Sequence, residues 1–447
     1  MYTLPKETKF DNDIARKIIE YNEKYTKRYN KLWSYYIGKQ DILDRKKGEL
    51  SFNNKVMVNH AKYITDTNIG YLLGNPVDYQ VNEKYQKSLE VLLKEYNKQT
   101  ISDLDSEIAK SISIFGNQHE YIYSNENAEP KSCQIDNSNA IIVYDDTVEH
   151  NKLFGLIYRG IYEGENFSHY EIIYCDKKKI VTYKSTTKSL IKDGKEEIHK
   201  FGDVPLIEYK NNPEYLGDFE NVISLIDAYN TLQSDRINDK EQLVDAILLF
   251  YNMSISSDQA EEIKKSRMIS EIPPEGRAEY LVKQLNESQV DILRSNIEKD
   301  IHKISMTPNM SDENFVGNSS GVALKYKLLA FEQNIKNKSR YMEKGLKERF
   351  KLYNNFLNVN SKMEIIPIEE VDVVFTRNLP TNDYETSQMI NNLTDLVDRE
   401  TLISQLSFIK DASDILEAKK REDEKLKQNE IPNFNEEHDH KEEVDEE

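Results

Sequence analysis

Apolar positions along the chain change their period twice. Residues 12–36 set Ile14, Ile18, Tyr21, Tyr25 and Leu32 near helical spacing among many charges, which predicts one amphipathic helix. A second helix is expected from Val58 to Gly74. Gly70 within it points to a close backbone approach, and Gly74-Asn75-Pro76 ends it. Two more helices are expected near 84–97 and 101–115. From Gln118 to Tyr209 the period shortens. Tyr121 to Tyr123, Ala140 to Tyr144, Phe154 to Ile161 and Tyr170 to Tyr174 are short β-type runs, separated by turn residues such as Asp145-Asp146 and Glu163-Gly164. They predict an antiparallel patch in an α+β domain.

After Pro213 the helical period returns. Residues 218–249 carry Val222, Leu225, Tyr229, Leu232, Leu243 and Ile247 at helical intervals, with Asp218 as a candidate N-cap. The polar run Gln233 to Glu241 suits a wall facing a wet channel better than a buried helix. Residues 251–287 form a mixed insert with a helix from Ser257 to Arg267, broken before Ile272-Pro273-Pro274-Glu275-Gly276. A helix resumes at 288–305, where Ser288 and Asp291 resemble a capping box. The stretch 306–320 is polar, has no period and is long for a connection inside a domain. A helix follows to about 358, with Leu328, Phe331, Ile335, Met342, Leu346, Phe350, Tyr353 and Leu357 in steps of three, four or seven. It would be on the order of 55 Å long. Its apolar face needs a partner within the subunit or in a neighbour, and Gly345 and Gln333 to Arg340 are candidate bends. Val371 to Phe375 predicts a late strand that rejoins the earlier strand-rich region, and helices are expected over 383–398 and 400–427.

Composition sharpens this picture. Of 447 residues, 38% are hydrophobic and 31% are charged, so the apolar surface must be concentrated on selected faces. The 28 tyrosines suit half-wet interfaces. Trp33, Tyr35 and Tyr36 anchor a core or an interface, core packing being preferred. The net charge of −19 argues against tight static binding of DNA, which draws its affinity from basic clusters. It leaves open a channel through which DNA slides. Part of that charge is local, because Asn435 to Glu447 hold eight Asp or Glu against Lys441, and 429–447 read as a disordered acidic tail. Cys133 and Cys175 are expected to be free thiols. The start of the chain lacks an apolar leader, and no apolar run approaches the ~20 residues of a membrane span. A soluble protein made in the cytoplasm is expected.

Candidate chemistry is sparse. The eight histidines are scattered and none shows zinc-ligand spacing with a third ligand. His438 and His440 are more simply a solvated tail than a metal site. Asp312-Glu313 imitates a metal-binding pair, but solvation or local pairing with Lys325 or Lys327 is the much stronger reading. Gly317 to Gly321 precedes a helix yet lacks the Gly-Lys-Ser/Thr of a nucleotide loop. Transient contact between a DNA phosphate and that helix N-terminus competes with plain capping by Ser319 or Ser320. Lys264, Lys265 and Arg267 either meet an acidic partner or form a solvated helix face. No catalytic, cofactor or metal residue is assigned.

Three stretches resemble the portal proteins of long-tailed phages of Gram-positive bacteria: Asn59 to Val77, Leu225 to Asp235, and Met306 to Lys325. Their order and spacing agree as well, and the likeness spans about 10–425. The resemblance implies a predominantly helical α+β portal fold that assembles into a twelve-fold ring. Its regions would be a wing (1–217), a first stem helix (218–250), a clip (251–287), a second stem helix (288–305), a tunnel loop (306–320), a long wing and channel helix (321–358), a wing strand (359–382) and a crown (383–428). The loop residues facing DNA would be Asn309, Met310, Ser311, Asp312, Glu313, Asn314, Phe315, Val316, Gly317, Asn318 and Ser319. The clip would offer Lys264, Lys265 and Arg267 to a partner. Implied partners are double-stranded DNA passing without sequence preference, the terminase packaging ATPase, capsid and scaffold proteins, and a head-completion adaptor. Assembly would take place in the host cytoplasm and end at the head vertex of the virion. A carboxylate-metal nuclease, or a helical scaffold or adaptor without a DNA channel, are the alternatives weighed.

Overall fold

The stripe at 12–36 forms two helices, α1 (Asn12–Glu23) and α2 (Thr26–Tyr36), where one was expected. Tertiary contacts impose the break. The Asn22 amide is buried and donates to Asn137 O (2.9 Å) and the Tyr158 hydroxyl (2.9 Å). The chain then turns tightly, Tyr25 N–H donating to Asn22 O (3.0 Å). The structure, a computed structural model, describes residues 1–48, 52–186, 188–244, 247–266, 272, 274–281, 287–310, 326–361, 363–377, 383–404, 406, 409 and 412–429. Two compact units result, Met1–Asn378 and Leu379–Glu447.

In the first unit, α3 (His60–Leu73), α4 (Gln86–Asn97) and α5 (Ile101–Phe115) lie where the periodicity puts them. The Asn59 side chain caps α3 and Gly74 ends it. A Cβ on Gly70 would meet nothing within 4 Å, so among the described residues the expected close approach there is not found. Trp33 is also not core. It is 43% exposed while Tyr35 and Tyr36 are buried.

The strands form two principal sheets. One runs β1 (Tyr2–Leu4), β5 (Ala140–Asp145), β6 (Lys152–Glu163), β7 (Asn166–Cys175), β8 (Lys179–Ser185) and β10 (Glu197–Ile198), with β9 (Leu190–Lys192) also on β8. Only the β1–β5 pair is parallel in it. The other runs β11 (Leu206–Lys210), β3 (Asn117–Ser124) and β4 (Pro130–Ile135). Ala15, Ile18 and Ile19 of α1 close the face of the first sheet over Val143, Leu156 and Ile172. The late strand β14 (Asp372–Val374) pairs with β2 (Asp78–Gln80) and joins neither sheet. A three-residue strand needs only one partner edge, and β2, just after α3, supplies it.

The helix expected over 218–249 begins at α6 (Ile223–Val244), and Ile247–Tyr251 is strand β12. Five consecutive apolar residues satisfy a helix stripe at one position and a strand throughout. Pairing with β13 (Arg277–Leu281) decides for the strand. Helix α7 (Ser257–Ser266) lies between these two strands, and α8 (Glu287–Ile304) follows them. Asp218 is not an N-cap, because its carboxylate is taken by Lys338 and Ser113. Ser288 lies inside α8, and Asp291 pairs with Arg294 (3.1 Å), so no capping box forms.

Helix α9 (Leu329–Ser361) has 33 residues. Its stripe of Phe331, Ile335, Met342, Leu346, Phe350, Tyr353 and Leu357 is buried within the subunit, which answers where its partner lies. Gly345 serves packing. A Cβ there would stand 2.4 Å from two ring carbons of Tyr209, whose hydroxyl is tied to Glu120 at 2.6 Å. Ala gains about 1 kcal/mol of helix propensity, but overpacking costs about 1–3 kcal/mol and this ring cannot swing away. Gly345→Ala should therefore lower the thermal unfolding midpoint. An unchanged or raised midpoint would show that Tyr209 yields.

Among its described residues the second unit holds α10 (Asp383–Leu393), α11 (Arg399–Ile403) and α12 (Ala412–Asn429), three helices where two were expected. The Asp398 carboxylate accepts from Thr401 N–H (2.9 Å) and restarts the helix at Arg399.

Candidate functional site

Helices α6 and α8 form an antiparallel hairpin. Arg236 meets Asp291 (3.5 Å) and Lys240 meets Glu287 (3.3 Å), so residue numbers rise along one helix as they fall along the other. At the near end Ile226, Tyr229 and Ile301 join Leu32, Tyr35, Tyr36, Ala61 and Ile64 in one apolar cluster. The hairpin thus springs from the helical face of the α+β body, and β12, α7 and β13 lie between its two arms in sequence.

One face of α6, which includes Ser234 and Asn238 of its polar run, is engaged within the chain. Buried Asn230, Ser234 and Asn238 lie four residues apart on one face. Their side-chain oxygens accept from the amides of Val58 (2.8 Å), Val56 (2.9 Å) and Asn54 (2.8 Å). Four helical residues rise about 6 Å and two extended residues about 6.6 Å, so the spacings match. Three helix side chains replace a β ladder and clamp residues 54–58.

The loop expected after α8 is fastened at its root. The Tyr63 hydroxyl donates to Pro308 O (3.0 Å) and accepts from Met310 N–H (2.9 Å). Asn68 donates to Thr307 Oγ1 (2.9 Å), and Asn309 donates to Glu298 (3.0 Å). His302 Nδ1 lies 3.0 Å from Thr307 O, and its ring is 5.8 Å from that of His60. Burial first, then the charge of His302, lowers the His60 pKa to about 4, so His60 is neutral at physiological pH. This pairing joins histidines 242 positions apart, and no spacing rule finds it. Met306 takes a left-handed φ of 53° at the turn. Of the expected loop-facing residues only Asn309 and Met310 are described. Asn309 is half-buried and Met310 is exposed. Ser311, Asp312, Glu313, Asn314, Phe315, Val316, Gly317, Asn318 and Ser319 lie outside the described residues, as do Ser320, Lys325, His438 and His440.

Helix α9 is keyed to the body by buried charge. Arg349, fully buried, gives Nε to Glu120 (2.8 and 3.0 Å) and Nη1 to Asp105. Lys338 and Asp218 form a second buried pair. Near its start Glu332 accepts from the Tyr71 hydroxyl (2.7 Å) and from Arg377 (3.3 Å). The sequence carried a signal for the first of these, since Arg349 falls on the stripe between Leu346 and Tyr353.

Lys264 and Lys265 sit on α7. Lys265 is exposed, with Glu261 at 3.9 Å. Arg267 lies outside the described residues. Both cysteines are free, and burial pushes the thiols of Cys133 and Cys175 up to about 11 and about 12. Among the described residues no three His, Cys, Asp or Glu side chains group as a metal site needs, and no helix is long and apolar enough to cross a membrane.

The family described as phage portal protein, SPP1 Gp6-like, matches residues 15–429. The portal protein of Bacillus phage SPP1 is 24% identical over 388 residues, covering 81% of this chain and 75% of that protein. The portal protein of Clostridium phage phiCD119 is 23% identical over 424 residues, covering 85% and 89%.

Proposed function

This chain belongs to the SPP1 Gp6-like family of phage portal proteins, and from that membership we propose that identical copies, twelve in the virion, close into a ring around double-stranded DNA. Its function is that of a phage portal protein, a structural component of the virion. The ring stands at one head vertex, admits the genome, joins head to tail and releases DNA. Assembly takes place in the host cytoplasm.

The observation that carries this reading is the α6–α8 hairpin. It leaves the α+β body as two antiparallel helices, bears a strand–helix–strand module between its arms, and returns to a loop fastened at the body. In this reading the hairpin is the stem, β12, α7 and β13 are the clip, and the loop after Pro308 lines the tunnel. Helix α9 and the sheets are the wing, and 383–428 are the crown. The clip meets the packaging ATPase and later a head-completion protein, with Lys264, Lys265 and Arg267 toward an acidic partner. Capsid and scaffold proteins meet the wing.

The hairpin leaves apolar surface bare. Ile292 and Leu293 of α8 are 61% and 50% exposed, and Ile237 of α6 is 40% exposed. A head-to-tail ring covers such a patch with a different patch of the next copy. Light scattering and negative-stain imaging of the purified chain should show large rings with a central hole. Ile292→Asp with Leu293→Asp should reduce the mass to that of one chain, with the circular dichroism unchanged. Monomers or dimers of the unaltered chain under every assembly condition would sink the reading. A solid assembly without a hole would favour the helical adaptor.

A further inference from the structure

A chain of net charge −19 carries a cleft of about 380 Å³ in whose wall lysine is the commonest residue. Helix α9, strand β11 and the turns that follow β5 and β7 bound it. Five lysines line it against three carboxylates, and the pairing among them is incomplete. Asp203 is shared by Lys351 (3.0 Å) and Lys177 (3.8 Å). Lys152 is held by Glu348, and Lys210 by Glu208 at 3.3 Å. Lys344 has no carboxylate in ion-pair distance among the described residues and lies over the Tyr341 ring, 4.9 Å from its centre. His150 completes the wall from a turn in which it holds a left-handed φ of 49°. The cleft therefore keeps about two ammonium groups short of partners.

We propose that this cleft seats an Asp/Glu-rich peptide segment of a protein partner, its carboxylates taking Lys344 and the unshared part of Lys177 and Lys351. Nucleic acid fits the wall poorly. Duplex DNA presents a charge about every 1.7 Å of its axis, so phosphates would be driven against Asp203 and Glu348 between the lysines. A peptide can space its charges to fall on the ammonium groups alone. The volume admits a few side chains and not a duplex. The acidity of the chain as a whole repels a long polyanion, whereas a short segment feels mostly the local field, screened beyond about 8 Å.

The test is fluorescence anisotropy with a labelled oligo-aspartate peptide and the full-length chain at low salt. It reads the chain in whatever assembly it forms, so its result is separate from ring closure. Binding is expected. It should weaken about ten-fold in Lys344→Glu/Lys351→Glu, the sum of two modest charge reversals. It should weaken in Lys344→Glu alone, which breaks no ion pair among the described residues. The exposed Lys87→Glu on α4 should leave it unchanged. No binding, or equal binding by the cleft variants, overturns the proposal. A short DNA duplex that displaces the peptide at lower concentration overturns it in favour of a nucleic-acid site. Displacement by equimolar inorganic phosphate reduces it to a small-anion site and overturns the peptide reading.

Discussion

Arg349→Met is expected to destabilise the first unit by about 3–5 kcal/mol, the cost of breaking a buried ion pair from one side. The substitution leaves Asp105 and Glu120 buried, at 3% and 0% exposure, without their cation. The loss should grow with pH. Burial already pushes the Asp105 carboxyl up to about 6, with the charge of Arg349 opposing that rise. An acid whose folded pKa exceeds its unfolded value of about 4 contributes stability that is full below the unfolded pKa. That contribution is lost as pH rises through the folded one. Without Arg349 the folded pKa climbs further, so the loss deepens beyond pH 6. Denaturant titrations should therefore show a larger deficit at pH 8 than at pH 5. Equal deficits would mean that Asp105 does not titrate in the variant. Adding Asp105→Asn and Glu120→Gln to Arg349→Met should recover much of the stability, because a neutral network leaves no charge in the dry interior. The same contacts fix α9 against α5 and β3, so its register depends on them.

Local order was legible in the sequence and non-local pairing was not. Helices α4 and α5 could be bounded within a few residues, because each has a full apolar stripe and clear stops. The stretch 12–36 misled because the break after Glu23 is set by Asn22 reaching Asn137 and Tyr158, more than a hundred positions away. The partner of β14 was out of reach for a similar reason, since a three-residue strand carries no information about which edge it finds. The polar run of α6 shows a subtler limit. Asn230, Ser234 and Asn238 look like a solvated face, and only the extended segment 54–58 turns them into a ladder. Gly70 and Gly345 are alike in the sequence. One meets no neighbour among the described residues and the other meets an aromatic ring, a difference that exists only in three dimensions. The family resemblance succeeded where periodicity could not, because its three stretches fall at the structural joints: α3 with its stop, the helix α6 of the α6–α8 hairpin, and the loop root beyond α8.

Deletion of residues 311–318 should abolish DNA packaging while leaving rings and stability intact. The cut is chosen from the contacts on either side. Asn309 and Met310 belong to the root through Glu298 and the Tyr63 hydroxyl, so a deletion reaching back to 309 would disturb the junction of α3 with α8. On the far side Glu332 is clamped by Tyr71 and Arg377, which holds the start of α9 in place. With both anchors kept, the variant should form rings of normal mass and unfold at the unaltered midpoint. Heads assembled with it should contain no full-length genome. The physical ground is the character of the missing contact. In the proposed ring an acidic conduit would let DNA slide by offering no deep electrostatic minimum, so any grip during translocation would come from weak polar contacts along the channel. Such contacts carry no sequence information and are needed only while DNA moves. Normal packaging by the variant would show that DNA is followed by the helical wall and that this loop does not touch it. Failure to form rings would instead make the loop part of the contact between copies.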